Sequence, residues 1–358
     1  MTQDNSENAV RECLKTIKDP ETGRGLSKQV TSVAVTDDSI KVDVGLSSFA
    51  AAIADDFKAT VAETLSKTFS GKSIDVSISD YDRPPQPLGQ IGLRCKAVIA
   101  VAAGKGGVGK STVATSLAVA LNRAGSSVGL LDADVYGPSI PQLTGIRGQA
   151  VRAEDGEKIA TLDFNGIPVM SIGFMVPPGE AVIWRGPMLH SAVTTFVKNT
   201  DWGDLDYLII DMPPGTGDIA LSLSQLLPLT GAIIVCTPQE VALIDAVKAV
   251  GMFRKVKIPV LGLIENMSSF ICPDNGKSYD IFGKGGAKDY ANDASIPFLG
   301  EIPLNIGLRQ RGDDGKMGDN FDDPAVAPYL ESLAKELVHT LAKNAAANPP
   351  TPSLPVIG

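Results

Sequence analysis

The segment that restricts this chain most is Gly104-Lys105-Gly106-Gly107-Val108-Gly109-Lys110-Ser111-Thr112. It fits the spacing G-x-x-x-x-G-K-[ST], and its surroundings give that spacing meaning. Residues 97–102 read as a buried strand, and residues 111–124 read as a helix. A strand that turns through four glycines into a helix points backbone N–H groups inward. It also adds the positive end of the helix dipole, and the two together make a receptor for phosphate oxygens. In such a loop Lys110 reaches the β- and γ-phosphates of a nucleotide, and the Ser111 hydroxyl ligates Mg²⁺. The competing reading is a Gly-rich turn with incidental lysines, and the strand–loop–helix context stands against it.

The rest of the chain has to accommodate that loop. At 358 residues there is room for two domains and a short appendage. With 44% hydrophobic and 20% charged residues, the chain can build a sizeable core. The formal charge of -9 argues against broad binding to nucleic acid or anionic membrane, so neither is expected as a partner. No stretch approaches the ~18 unbroken apolar residues of a membrane span. The polar start, MTQDNSENAV, lacks the layout of a signal peptide, so a cytoplasmic protein is expected. The four cysteines, Cys13, Cys95, Cys236 and Cys272, are scattered without a C-x-x-C pair. A disulfide framework and a self-contained four-thiolate site are both disfavoured.

Three prolines in residues 80–90 mark an extended linker. Before it, a helix (about 6–18), strands near 29–36 and 40–45, a helix from Ser48 to about Phe69 and a strand over 74–78 predict a small α+β domain, 1–80. Ile53, Phe57, Val61 and Leu65 recur every four residues along the second helix. After the linker (81–94), apolar runs at 98–101, 128–131, 207–210, 232–236, 260–264 and 297–299 alternate with helical patterns. The expectation is an α/β domain, 95–343, with a parallel sheet covered by helices on both faces. Residues 344–358, with four prolines and no charged side chain, read as a disordered tail.

Two acidic segments belong with the loop. Asp132-Ala-Asp134 ends the second strand of the larger domain, the edge at which open α/β sheets bind ligands. Asp211 follows four apolar strand residues and precedes Met-Pro-Pro-Gly215-Thr-Gly-Asp218, the Walker B arrangement for holding Mg²⁺. Gly215 is placed to bring a backbone N–H to the γ-phosphate. Strand-end aspartates also serve as caps and turn residues, which is the plainer alternative.

Lys105, one residue after the loop's first glycine, makes the segment resemble the deviant Walker A motif of the MinD/ParA/nitrogenase-iron-protein group. That resemblance implies a P-loop NTPase fold and a homodimer in which Lys105 reaches the partner's ATP. It also implies that Asp134 orients or deprotonates the attacking water while Asp132 and Asp211 support the metal, although the sequence does not rank Asp132 against Asp134. It makes Asn266 the candidate for hydrogen bonding to adenine, with a turn asparagine as the alternative. Asp132–Ser139, Trp184–Met188, Asp211–Asp218 and Glu265–Ser268, taken in order, resemble the Mrp family (ApbC-like) of iron–sulfur cluster carriers. The N-terminal unit resembles the small domain of Fe–S assembly factors.

The Mrp resemblance implies ATP, Mg²⁺ and an iron–sulfur cluster of [4Fe-4S] type, with apo Fe–S client proteins and assembly factors as partners. It departs at one place. Family members commonly carry C-x-x-C after the Asn-Met-Ser segment, whereas here Cys272 is followed at the second cysteine position by Asn275. A dimer then offers two thiolates where four are usual. Either Cys272 holds a labile cluster completed by Asp274, an external thiol or a partner, or it is a lone loop cysteine. Two other functions stay open: a dimer-switch ATPase that positions cargo on membrane or DNA, and an ATP-gated client-binding scaffold. Cys236 reads as a core residue, and His190 and His339 as packing or surface residues.

Overall fold

The computed structural model describes residues 3–89, 92–149, 151, 158–174 and 186–349, with backbone only for 3–5, 186–192 and 218–219. Trp184 and Arg185, the side chain of His190, and the tail beyond 349 lie outside the described residues. The chain divides into two compact units, residues 1–83 with 337–358, and residues 84–336.

The smaller unit contains α1 (Gln3–Leu14), β1 (Val30–Val35), β2 (Ser39–Leu46), a 3-10 turn (Ser48–Ile53), α2 (Ala54–Thr68) and β3 (Ser73–Asp80). β2 lies at the centre of the sheet, antiparallel to β1 and parallel to β3. The four-residue spacing on the second helix works as expected, since Ile53, Phe57, Val61 and Leu65 are all buried. Burial of each such side chain contributes roughly 1.5–3 kcal/mol. Two expected helices are shorter than their sequence patterns. The first stops at Leu14 because the chain turns to present Asp19, whose Oδ1 accepts from the N–H of Glu21 (2.8 Å) and Thr22 (3.3 Å). The second begins as a 3-10 turn and becomes α-helical only after Ile53, whose φ of -116° and ψ of 18° interrupt it.

The larger unit opens with β4 (Pro87–Leu88), which pairs with the start of β5 (Leu93–Ala102) inside the expected linker. Then come α3 (Lys110–Ala124), β6 (Val128–Asp132), α4 (Ile140–Leu143), β7 (Leu162–Phe164), β8 (Ile167–Ser171) and α5 (Gly186–Asn199). They are followed by β9 (Leu205–Asp211), α6 (Asp218–Leu226), β10 (Gly231–Cys236), α7 (Glu240–Lys255), β11 (Val260–Ile271) and β12 (Ser278–Tyr279). The series ends with α8 (Gly286–Asp293), β13 (Phe298–Leu304), α9 (Ile306–Asp313) and α10 (Ala327–Ala347). Residues 344–347, expected in the tail, are therefore helical, and α10 from Leu337 onward groups with the smaller unit.

Seven strands run parallel in the order β13-β11-β10-β5-β9-β6-β8, with β7 and β12 antiparallel at their margins, and helices cover both faces. The sheet is thus mixed rather than purely parallel. Residues 98–101 and 207–210 are fully buried, which is why they read as unbroken apolar runs. The β7–β8 hairpin was not expected. Its signal is Asn165-Gly166, with φ of 53° and 83°, the two-residue loop that needs left-handed backbone at both positions.

Candidate functional site

β5 lies between β9 and β10, while the next strand in sequence, β6, lies beyond β9. The carboxyl ends of β5, β6 and β9 therefore open onto one crevice, and all three carry the residues in question. The loop after β5 is shaped by its neighbours as well as by its own glycines. A Cβ on Gly104 would fall 2.0 Å from the Asp245 carbonyl oxygen of α7. One on Gly109 would fall 2.1 Å from Asn266 Nδ2, and Gly109 also has φ of 80°. Glycine is the residue without a side chain to collide at either place.

Lys110 begins α3 and is 6% exposed. Its Nζ lies 2.5 Å from Asp211 Oδ1 and 3.4 Å from Asp134 Oδ2. Asp132 is fully buried. Its Oδ1 accepts from the N–H of Asp134 (3.1 Å), and its Oδ2 accepts from the N–H of Ile140 (3.2 Å) and from Ser171 Oγ (3.0 Å). The Ser111 hydroxyl lies close enough to Asp211 to favour its ionised form, while Asp211 Oδ2 is buried without a hydrogen-bond partner. The expected loop residues, carboxylates and Ser111 are thus brought together.

Charge in this crevice is out of balance, with three carboxylates around one ammonium. Burial raises the Asp132 carboxyl well above its ordinary range, and the nearby Asp211 charge adds to that. Burial also raises Asp211, against the opposing pull of Lys110 and Ser111. An excess of buried negative charge with an orphaned carboxylate oxygen fits a divalent cation, which needs few protein oxygens when phosphates and water supply the rest. Among the described residues no group of three or more His, Cys, Asp or Glu is arranged to hold a metal without such help.

Two of the expected residues make hydrogen bonds within the chain itself. The N–H of Gly215 (φ 91°) donates to Ala103 O at 2.8 Å, so it is spent in tying the Asp211–Gly217 segment to the residue before the loop. Asn266 turns its amide to the loop backbone, with Nδ2 donating to Val108 O at 2.9 Å and Oδ1 accepting from the N–H of Met267. Lys105 has no hydrogen bond or ion pair among the described residues. Ser171 was missed because β8 was missed; the Asn165-Gly166 turn is the signal that leads to it. Glu265, quoted only as part of a motif, is fully buried and accepts from the N–H of Gly285 (3.1 Å) and Ala287 (2.9 Å) at the start of α8.

Cys272 lies past the end of β11, in the turn of the β11–β12 hairpin. Its N–H donates to Lys277 O, its carbonyl accepts from the N–H of Gly276, and Asn275 Oδ1 accepts from the N–H of Lys277. The thiol is half-buried, as is Cys13, whereas burial pushes the Cys95 and Cys236 thiols up to about 12. Those two are inert core residues at neutral pH. No helix among the described residues is long and apolar enough to cross a membrane.

A strand–loop–helix phosphate receptor with Asp211 at the end of one neighbouring strand and Asp132 at the end of the next defines a P-loop NTPase domain. The family is narrower than the fold. Residues 94–338 match the family described as ParA, NUBPL iron-transfer P-loop NTPase, and the chain belongs to that family. Residues 7–78 match the iron–sulfur cluster assembly protein family. The chain is 42% identical over 341 residues to the iron–sulfur cluster carrier protein of Deinococcus radiodurans, covering 94% of each. A nucleotide-binding protein from Archaeoglobus fulgidus, solved in complex with ADP, is 40% identical, with TM-score 0.57 over 63% of this chain and 89% of that one. The cell division ATPase MinD of Pyrococcus furiosus, at 22% identity and TM-score 0.51 over 67% of this chain and 98% of that one, shares the fold.

Proposed function

We propose that the chain binds and hydrolyses ATP as a homodimer and carries an iron–sulfur cluster, its cargo, to apo client proteins. The observation that carries this reading is the placement of half-buried Cys272 at the end of β11, the strand that also touches the phosphate loop. The iron–sulfur carrier relative, similar over nearly its whole length, supports the cargo class.

At the nucleotide end, loop N–H groups and Lys110 bind the phosphates, with Lys110 leaving its carboxylates to do so. Ser111 and Asp211, supported by Asp132, hold Mg²⁺, which supplies positive charge against the phosphate oxygens. Asp134 lies beside Lys110 and orients the water that attacks the γ-phosphorus, taking its proton as the bond to the β-phosphate oxygen breaks. Lys105, without a hydrogen bond or ion pair among the described residues, reaches the partner copy's nucleotide. The apolar residues Val241, Ile244 and Val247, exposed along α7 beside the loop, suit a face that a second copy covers. Two Cys272 thiolates per dimer bind a [4Fe-4S] cluster weakly enough to release it, and Asp274, a client or an external thiol completes the ligand set.

Anaerobic reconstitution of wild type and Cys272→Ala, followed by iron and sulfide analysis, tests the cargo assignment. Stoichiometric cluster in wild type and its loss in the variant are expected. Equal iron in both would end the role of Cys272.

A further inference from the structure

We propose that Asn266 is a positioning residue that couples the backbone of the phosphate loop to the posture of the Cys272 hairpin. Asn266 is 5% exposed, and its amide nitrogen holds Val108 O at 2.9 Å. The same nitrogen would lie 2.1 Å from a Cβ on Gly109, so it packs directly on the backbone of the two residues before Lys110. A shift of that backbone as the loop closes on phosphate has no slack to absorb it, and Asn266 must follow.

Where the shift goes is decided by what holds β11 on either side. One residue upstream, the buried Glu265 carboxylate is fixed to the N–H groups of Gly285 and Ala287, which clamps the strand to α8. Downstream the strand is built to bend. Met267 has φ of 58°, a left-handed value that costs a side-chain-bearing residue roughly 1 kcal/mol or more. From Asn266 to Phe270 β11 advances four residues while β13 advances only two, from Ile302 to Leu304, which is a bulge. Beyond it come the Phe270–Tyr279 and Ile271–Ser278 pairs and then Cys272, at most about 20 Å of extended chain from Asn266. Ile271 and Tyr279 are exposed, so the tip is only lightly packed. A strand clamped on one side of the contact and kinked on the other delivers movement to the cysteine.

The use made of this coupling rests on the carrier reading, but its test does not. Full-length protein without cluster is treated with iodoacetamide, with and without a non-hydrolysable ATP analogue plus Mg²⁺. Labelling of Cys272 and of Cys13, which lies in the smaller unit, is followed peptide by peptide. Each variant is measured at nucleotide well above its own dissociation constant. In wild type the analogue is expected to change the Cys272 rate by about fivefold or more and leave Cys13 unchanged. Asn266→Ala and Asn266→Asp, the second keeping shape but not the donor, should bring the Cys272 ratio close to one. A ratio of one in wild type overturns the proposal, and so does an intact ratio in Asn266→Asp. An intact ratio with lost preference for ATP over GTP would assign Asn266 to base recognition instead. Failure of the cluster experiment on Cys272→Ala leaves the labelling result standing, so the two proposals can fail separately.

Discussion

Lys110 and Asp211 are buried and bonded to each other, and buried Asp132 is held by the N–H groups of Asp134 and Ile140, whereas Cys272 is half-buried and only its backbone is tied down. The two regions are connected through β11 yet are built on opposite principles. Around the phosphate loop, burial concentrates charge, distorts carboxyl ionisation and leaves one oxygen unpaired, so binding energy is stored before ligand arrives. At the hairpin nothing is stored, because a group that must be loaded and unloaded gains from exposure and loses from tight packing. The nucleotide end is therefore the region whose substitutions should cost stability, and the hairpin the region whose substitutions should cost function alone.

Lys110→Ala is the most severe test of that contrast. It leaves three carboxylates without their cation and should lower stability by roughly 3–5 kcal/mol, the range for a broken buried pair. Nucleotide affinity should fall about a hundredfold or more, since each tenfold is 1.4 kcal/mol. Thermal melts and calorimetric ATP titration measure both, and an unchanged melt would mean that the site's negative charge is better solvated than its burial implies. The smaller unit offers a second buried carboxylate for comparison. Burial alone would raise Asp19, but hydrogen bonds and charge from Arg83, with the Glu21 N–H and Gln29, hold it below the usual range. A lowered carboxyl pKa stabilises the folded state above the unfolded value of about 3.9 and loses that contribution as pH falls through the folded pKa. Melts between pH 2 and 6 should show this loss in wild type and a flatter profile in Asp19→Asn, which starts about 2 kcal/mol lower.

Two glycines sharpen the loop side. Gly107 and Gly109 share left-handed φ, but a Cβ on Gly107 meets nothing within 4 Å. Gly107→Ala should cost about 1 kcal/mol of conformational strain, and Gly109→Ala about 1–3 kcal/mol because it also displaces Asn266. Equal costs in urea unfolding would remove the Asn266 contact from the account. The smallest expected effect is that of Cys272→Ala on stability, within about 0.5 kcal/mol for a position packed so lightly. A larger loss would make the thiol part of the packing and erase the contrast.

Much of this was legible in the residues because the relevant patterns are local. The strands of the parallel sheet are buried on both faces, so 98–101, 207–210 and 232–236 declare themselves without reference to their neighbours. The phosphate loop is as explicit, since its glycines and lysine are demanded by a ligand rather than by a partner strand. The β7–β8 hairpin escaped because its strands are short and lean on β6, although Asn165-Gly166 marks the turn. With it went Ser171, whose hydroxyl reaches Asp132 from thirty-nine positions away. The first helix overran because apolar spacing continues past Leu14, and only Asp19, by collecting donors, decides where the chain turns.

The sequence by itself determined that there is a phosphate receptor, that Asp132, Asp134 and Asp211 attend it, and that one half-isolated cysteine follows the fifth long strand of the larger domain. Those features are contiguous in the chain or repeat at fixed intervals. The tertiary structure alone decided where hydrogen-bond donors point. Gly215 spends its N–H on Ala103 and Asn266 gives its amide to Val108, while residues 337–347 group with the smaller unit. Such choices depend on which groups separated by a hundred residues or more come within 3 Å of each other. Because a hydrogen bond weakens steeply with distance and angle, no pattern of residue types can foretell them.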